Sequence, residues 1–301
     1  MTPADRLSRD EIAIFLFHGV VERSDYEVRN YTRKHLTRDA FVAIIDSLAS
    51  AGRPISLPDI VARSARGDPF PPRAFAVTFD DGFENNYSIA APILCDFEVP
   101  ATFYVTSGFI QHNALSWIDR IEYFMEHTPR GVLRLPWSGE TQRFDDRDSK
   151  IFLLEQIRLR AKRDPELDVD TLVRDVFVQG GWEEIEASED PLDRKMEWDQ
   201  VAALAAHDLF TVGGHGHTHR ILSFLSDDAL EEEVSTCLRL LAEEASITTS
   251  HYSYPEGLEY CYSDRVVDAL RRHGIVCCPT AQDGTNSVDD GLFSLKRIPV
   301  T

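Results

Sequence analysis

Three charge-free runs, Ile12–Phe17, Ala74–Phe79 and Ala101–Val105, are separated by stretches of helical character, and this alternation constrains the fold more than any other feature of the chain. Short apolar runs bounded by turn residues read as buried strands, and strands that alternate with helices imply a parallel sheet. Thr37 is placed to cap a helix that carries Phe41, Ile44, Ile45 and Leu48 on one face and stops at Gly52. A second helix spans about residues 84–96, interrupted or restarted near Pro92. From about residue 111 to 195 the rhythm changes to long, charged, helical stretches such as 151–161 and 172–178, which reads as a helical insertion, a lid or a partner surface. The alternation then resumes with a helix at 198–207, a strand at 210–212, flexible Gly213-Gly214, and a helix capped by Ser226 with Leu230, Val234, Cys237 and Leu241 on one face. A short strand at 252–254, a helix from Ser263 to Gly274, and segments 275–278 and 292–300 complete the chain.

With 301 residues, 43% of them hydrophobic, the chain can bury one large α/β barrel or two smaller domains, and a single domain is favoured. Its 51 acidic against 31 basic residues give a net charge of −20, which repels phosphate and argues against nucleic acid or anionic lipid as the main partner. Five cysteines without metal-ligand spacing read as free thiols of a reducing compartment. The apolar run of Ile12–Phe17 is too short for a membrane span or a signal-peptide core, so a cytoplasmic location is expected.

In α/β barrels the loops after the strands converge, and chemistry collects at the carboxyl ends of the strands. Four polar groups fall at such ends: His18, the pair Asp80-Asp81, the string His215-Gly216-His217-Thr218-His219, and Tyr254-Pro255. An isolated Asp-Asp-Gly is ordinary turn chemistry. Together with two histidines spaced four apart, it offers the nitrogen and oxygen donors of a divalent ion that keeps an open position for water. Adjacent side chains diverge, so one carboxylate can hold the ion while the other faces the attacking water. His217 is read as a supporting residue behind the ligands, with replacement of a ligand as the alternative.

Thr78-Phe79-Asp80-Asp81-Gly82 and His215-Gly216-His217-Thr218-His219 resemble the first two motifs, T-F-D-D-G and H-[ST]-x-x-H, of the polysaccharide deacetylase family, the NodB-like carbohydrate esterases. Gly216 stands where the family usually has Ser or Thr. The resemblance covers roughly residues 10–110 and 196–301 and implies a distorted (β/α)7-type barrel. It implies that Asp81, His215 and His219 hold one divalent metal ion, Zn²⁺ first and Co²⁺, Fe²⁺ or Ni²⁺ as alternatives, and that Asp80 is the general base. Tyr252-Ser253-Tyr254-Pro255-Glu256-Gly257 resembles the third motif, with the Glu256 backbone N–H on the oxyanion and Tyr254 and Pro255 on the substrate side. No Arg precedes Tyr254 to orient the base, and Arg297 is the candidate substitute. The usual C-terminal leucine-x-histidine motif is missing, but a subset of the family carries it permuted to the N-terminus, and Phe17-His18-Gly19-Val20 resembles it. His18 is then the general acid.

The activity this implies is removal of the N-acetyl group from an N-acetylated carbohydrate, with release of acetate. An amidohydrolase-like barrel acting on another amide is a second reading, because His215-Gly216-His217 also contains an H-x-H pair. A carbohydrate-binding protein with a vestigial site is the third.

Overall fold

The computed structural model describes residues 2–301. Its centre is a seven-stranded sheet in which Ile12–Phe17, Ala74–Phe79, Ala101–Val105 and Phe210–Gly214 lie side by side and parallel. The register pairs Leu16 with Thr78, Thr78 with Thr102, and Thr102 with Thr211. The short strands Arg53–Pro54 and Ile298–Pro299 add in parallel, and Thr285–Asn286 adds antiparallel. Beyond Phe210–Gly214 the ring continues through single bridges, Gly214 to Tyr252 and His251 to Cys277, and Val300 donates back to the Leu16 carbonyl. The outcome is the expected distorted (β/α)7-type barrel.

The period of two along each strand sorts the side chains. Phe17, Phe79 and Phe103 form a stacked row, with neighbouring ring centroids 5.4 and 5.1 Å apart, that faces the surrounding helices. Thr78, Thr102 and Tyr104 have the opposite parity and are buried inside the ring. Thr37 caps the helix Arg38–Ala51, whose Phe41, Ile45 and Leu48 pack on the outer face. Near Pro92 the helix of the Asp80-Asp81 loop changes from a π-type turn, Asn86–Ala90, to an α-helix, Ala91–Asp96.

Three expectations are corrected. Gly213 and Gly214 are strand residues paired with Tyr104 and Val105, not a flexible link. A side chain at Gly213 would meet the Tyr104 ring at 2.7 Å and one at Gly214 the Tyr252 ring at 2.6 Å, so these glycines make room for aromatic filling of the barrel. The segment 252–254 forms no continuous strand, because its pairing is limited to the bridge at Tyr252. The region 111–195 is not all helical: between the helices Trp117–His127, Arg147–Ala161 and Val169–Gly180 lies an antiparallel hairpin of Gly131–Arg134 and Thr141–Phe144. Phe144 is buried against Phe124, so the hairpin closes a core of this region's own, built with Ile121, Leu154 and Phe177 and joined by Val28 from the N-terminal part. Among the described residues no helix is long and apolar enough to cross a membrane.

Candidate active site

The row of inward side chains on Ala74–Phe79 continues to Asp80, and the backbone then turns left-handed at Asp81, with φ of 75°, and at Gly82, with φ of 84°. Neighbouring strand residues ordinarily point to opposite faces. The left-handed turn brings the Asp81 carboxylate back beside that of Asp80. His219, with φ of 60°, and Glu256, with φ of 61°, have the same uncommon backbone. Such conformations are costly for residues with side chains and gather where the surrounding structure fixes them, typically at functional sites.

Asp80 is buried and gripped by Arg297, which is fully buried and donates Nη1 to Oδ1 at 2.8 Å and Nη2 to Oδ2 at 2.7 Å. The guanidinium is itself fixed by Nε donating to the Thr280 carbonyl at 2.6 Å and by Nη2 donating to Ser253 Oγ at 2.9 Å. Two parallel charge-assisted bonds set both position and orientation of a carboxylate. Burial alone would raise the Asp80 carboxyl, but Arg297 and then His215 hold it below the usual range. Asp80 is therefore an ionised carboxylate.

His215 is buried, and its Nδ1 lies 2.9 Å from the Ser253 carbonyl. A carbonyl only accepts, so Nδ1 carries the proton and Nε2 keeps its lone pair. That Nε2 faces Asp81 Oδ1 at 3.6 Å and Asp80 Oδ2 at 3.7 Å. His219 Nε2 approaches Asp81 Oδ1 at 3.3 Å. Asp81 Oδ1 is buried and has no hydrogen-bond partner among the described residues, while Oδ2 is 2.9 Å from Lys34 Nζ. Burial would raise the Asp81 carboxyl too, yet Lys34 and His219 hold it well below the usual range.

The donor set fits a divalent ion. One ligand atom from each of Asp81, His215 and His219 lies within 4.8 Å of the others. Two imidazole nitrogens and a carboxylate oxygen are a ligand set for zinc with an open position. A buried carboxylate oxygen that makes no hydrogen bond among the described residues and faces two imidazole nitrogens at 3.3 and 3.6 Å is the donor arrangement such an ion would satisfy.

His217 is not in this group. Its Nδ1 pairs with Ser107 Oγ at 2.9 Å, which draws the ring away. His18 follows its strand directly and is close enough to Asp81, Lys34, Asp80 and Arg297 to feel their charges; burial pushes it down to about 4, against the pull of Asp81. The Glu256 N–H donates to no group among the described residues, and its carboxylate meets Lys162 Nζ of the insertion at 2.5 Å. Tyr254 requires a correction. Its ring is fully buried, stacked on Tyr262 at 4.6 Å with its hydroxyl donating to the Phe293 carbonyl, and Pro255 is buried beside it. Neither presents a surface to a ligand, because both are part of the packing that holds the Glu256 turn.

The motif reading assigns no role to three contributors. Ser253 touches Asp80, Arg297 and His215, and lies inside a quoted motif. Glu233 accepts the N–H groups of His217 and Thr218 at 2.8 and 2.7 Å and the Thr218 hydroxyl at 2.7 Å, thereby tying down the histidine loop. Its signal is an acid among Leu230, Val234 and Cys237 on the apolar face of its helix. Lys34 carries no sequence signal.

The histidine loop opens onto a cleft of about 600 Å³ between barrel and insertion, with Phe109, His219 and Glu256 on one side and Trp117, Arg120 and Lys162 on the other.

The fold and site together define an α/β barrel whose strand ends gather an Asp, His, His donor set beside an arginine-held Asp. The polysaccharide deacetylase sequence profile matches residues 67–140 and 171–278, and the chain belongs to that family. The fold is similar to the Streptococcus pyogenes deacetylase PplD, at 17% identity with a TM-score of 0.60 over 97% of this chain and 93% of that one. It is similar to IcaB from Ammonifex degensii, at 18% identity and a TM-score of 0.60 over 98% and 94%. A de-N-acetylase from Aggregatibacter actinomycetemcomitans aligns at 15% identity and a TM-score of 0.61 over 96% and 94%. No curated protein sequence matches significantly.

Proposed function

We propose that this chain is a metal-dependent hydrolase that removes the acetyl group from an N-acetylated sugar or glycan. The observation that carries the reading is the buried, unpartnered Asp81 Oδ1 between His215 Nε2 and His219 Nε2, beside an ionised Asp80 clamped by Arg297. Asp81, His215 and His219 would hold the ion. A bound divalent ion of this kind polarises an acyl oxygen and makes water acidic enough to attack near neutral pH.

The rest is done by the chain. Asp80 takes the proton of the attacking water, and Arg297 keeps its carboxylate aimed and charged until then. The unengaged Glu256 N–H is a preformed donor for the developing oxyanion, and the buried Tyr254-Pro255 packing keeps it from relaxing. The departing amine needs a proton, and His18 is the group assigned to give it. Burial pushes the resting ring towards its neutral form, against the pull of Asp81. The cleft receives the glycan, with the insertion as its outer wall.

The test is elemental analysis of purified protein beside an assay of acetate release from an N-acetylglucosamine oligomer. Asp81→Ala and His215→Ala should each lose zinc and activity together. Full metal occupancy in both variants overturns the ligand assignment.

A further inference from the structure

Asp81 has two oxygens in different circumstances. Oδ1 faces the histidines without a partner, while Oδ2 lies against the Lys34 ammonium at 2.9 Å. Lys34 does not reach the site by chance of exposure. It follows the left-handed Arg33, with φ of 57°, sits 4.8 Å from the centre of the Phe83 ring, and has Asp119 of the insertion helix Trp117–His127 at 3.7 Å. Among the described residues, Asp119 Oδ2 is itself buried without a hydrogen-bond partner. The chain Asp119, Lys34, Asp81 therefore runs from the insertion to the ligand atoms.

We propose that Lys34 is the positioning residue of the metal site: it occupies Oδ2, restricts Asp81 to ligation through Oδ1 alone, and tempers the affinity for a dication, with Asp119 of the insertion setting the strength of that effect. This rests on the metal-dependent reading above. A carboxylate can bind an ion through one oxygen or both, and a donor already held by an ammonium offers only the other. The ammonium also adds a positive charge next to where a dication would sit, a repulsion that weakly solvated surroundings do little to screen. Asp119 neutralises part of that charge, which couples the insertion to the strength of the site.

The experiment measures zinc affinity by competition with a chromophoric chelator, and the visible spectrum of the Co²⁺-loaded protein, for wild type and three variants. Lys34→Met, which keeps length and removes charge, should bind zinc at least tenfold more tightly and shift the cobalt spectrum towards a higher coordination number. Lys34→Arg should stay within about threefold of wild type. Asp119→Asn, which leaves the ammonium uncompensated, should bind at least threefold more weakly, and it decides the matter if Lys34→Met does not fold. Unmoved affinity and spectrum in a folded Lys34→Met, or in Asp119→Asn when it stands alone, overturn the assignment. A wild type that binds no zinc overturns the metal reading as well, whereas one equivalent in wild type with unmoved variants overturns the Lys34 assignment alone.

Discussion

Asp80 and Asp81 are adjacent in the chain and opposite in circumstance. The first has both oxygens engaged by one guanidinium, and the second keeps an oxygen bare. That difference separates the roles proposed for them more firmly than their order does. A ligand must offer a free lone pair, while a base must be held in place and remain charged. Replacing Asp80 by Asn preserves shape but removes proton acceptance, so turnover is expected to fall by about 10²–10⁴. Zinc content, measured on the same preparation, should be unchanged. Lost zinc would show Asp80 to be a ligand, and undiminished acetate release would remove it from the proton path.

Among the elements, the histidine loop and the insertion show what the sequence pattern exchanges for geometry. Gly216 has φ of 84°, and a Cβ there would come within 2.8 Å of Glu233 Oε1. The family's usual hydroxyl residue does not fit, and Glu233 supplies the loop's support through three hydrogen bonds. Gly216→Ser should therefore strain the backbone and displace Glu233, lowering stability by about 1–3 kcal/mol and weakening zinc binding. An unchanged melting temperature and zinc affinity would show that the loop adapts. In the insertion, Glu122 is buried with Arg158 Nη1 at 3.2 Å of one oxygen and the Asn30 N–H at 3.2 Å of the other. Burial and then the nearby Asp119 push its carboxyl up from 4.5 to about 7. A carboxyl raised in the folded state binds its proton more tightly there than in the unfolded chain. Its contribution to stability is then complete below pH 4.5 and is lost as pH rises to about 7. Glu122→Gln should flatten that part of the stability profile in urea titrations across pH 4 to 8, and a profile parallel to wild type would refute the shift.

On the scale of the whole molecule, the cleft belongs to neither barrel nor insertion alone. Trp117 opens an insertion helix and lines the same cleft as His219 and Glu256 without belonging to the donor set. If the cleft takes the proposed glycan, an aromatic side chain outside the donor set would hold it in ground state and transition state alike. Trp117→Ala should thus raise KM for an N-acetylglucosamine oligomer about tenfold, equivalent to about 1.4 kcal/mol, with kcat little changed. A fall in kcat at constant KM would mean that the insertion acts on the chemistry instead of on binding.

Sequence alone determined the strands Ile12–Phe17, Ala74–Phe79 and Ala101–Val105, the helix caps at Thr37 and Ser226, and the placement of His18, Asp80-Asp81 and His215 at strand ends. Those features rest on local periodicity and turn chemistry, which a linear chain displays. It also named Arg297 as a partner for Asp80 through the missing motif arginine, though only the closure of the ring brings residues 80 and 297 together. Tertiary structure decided the rest. The hairpin of the insertion exists because Phe144 closes a core whose other members come from distant segments, including Val28. The burial of Tyr254 depends on Tyr262 and the Phe293 carbonyl. Lys34 meets Asp81 across 47 positions of the numbering, between a loop with no regular pattern and a strand end. Charge pairing of that kind has no period, so nothing in the order of residues announces it until the fold has closed.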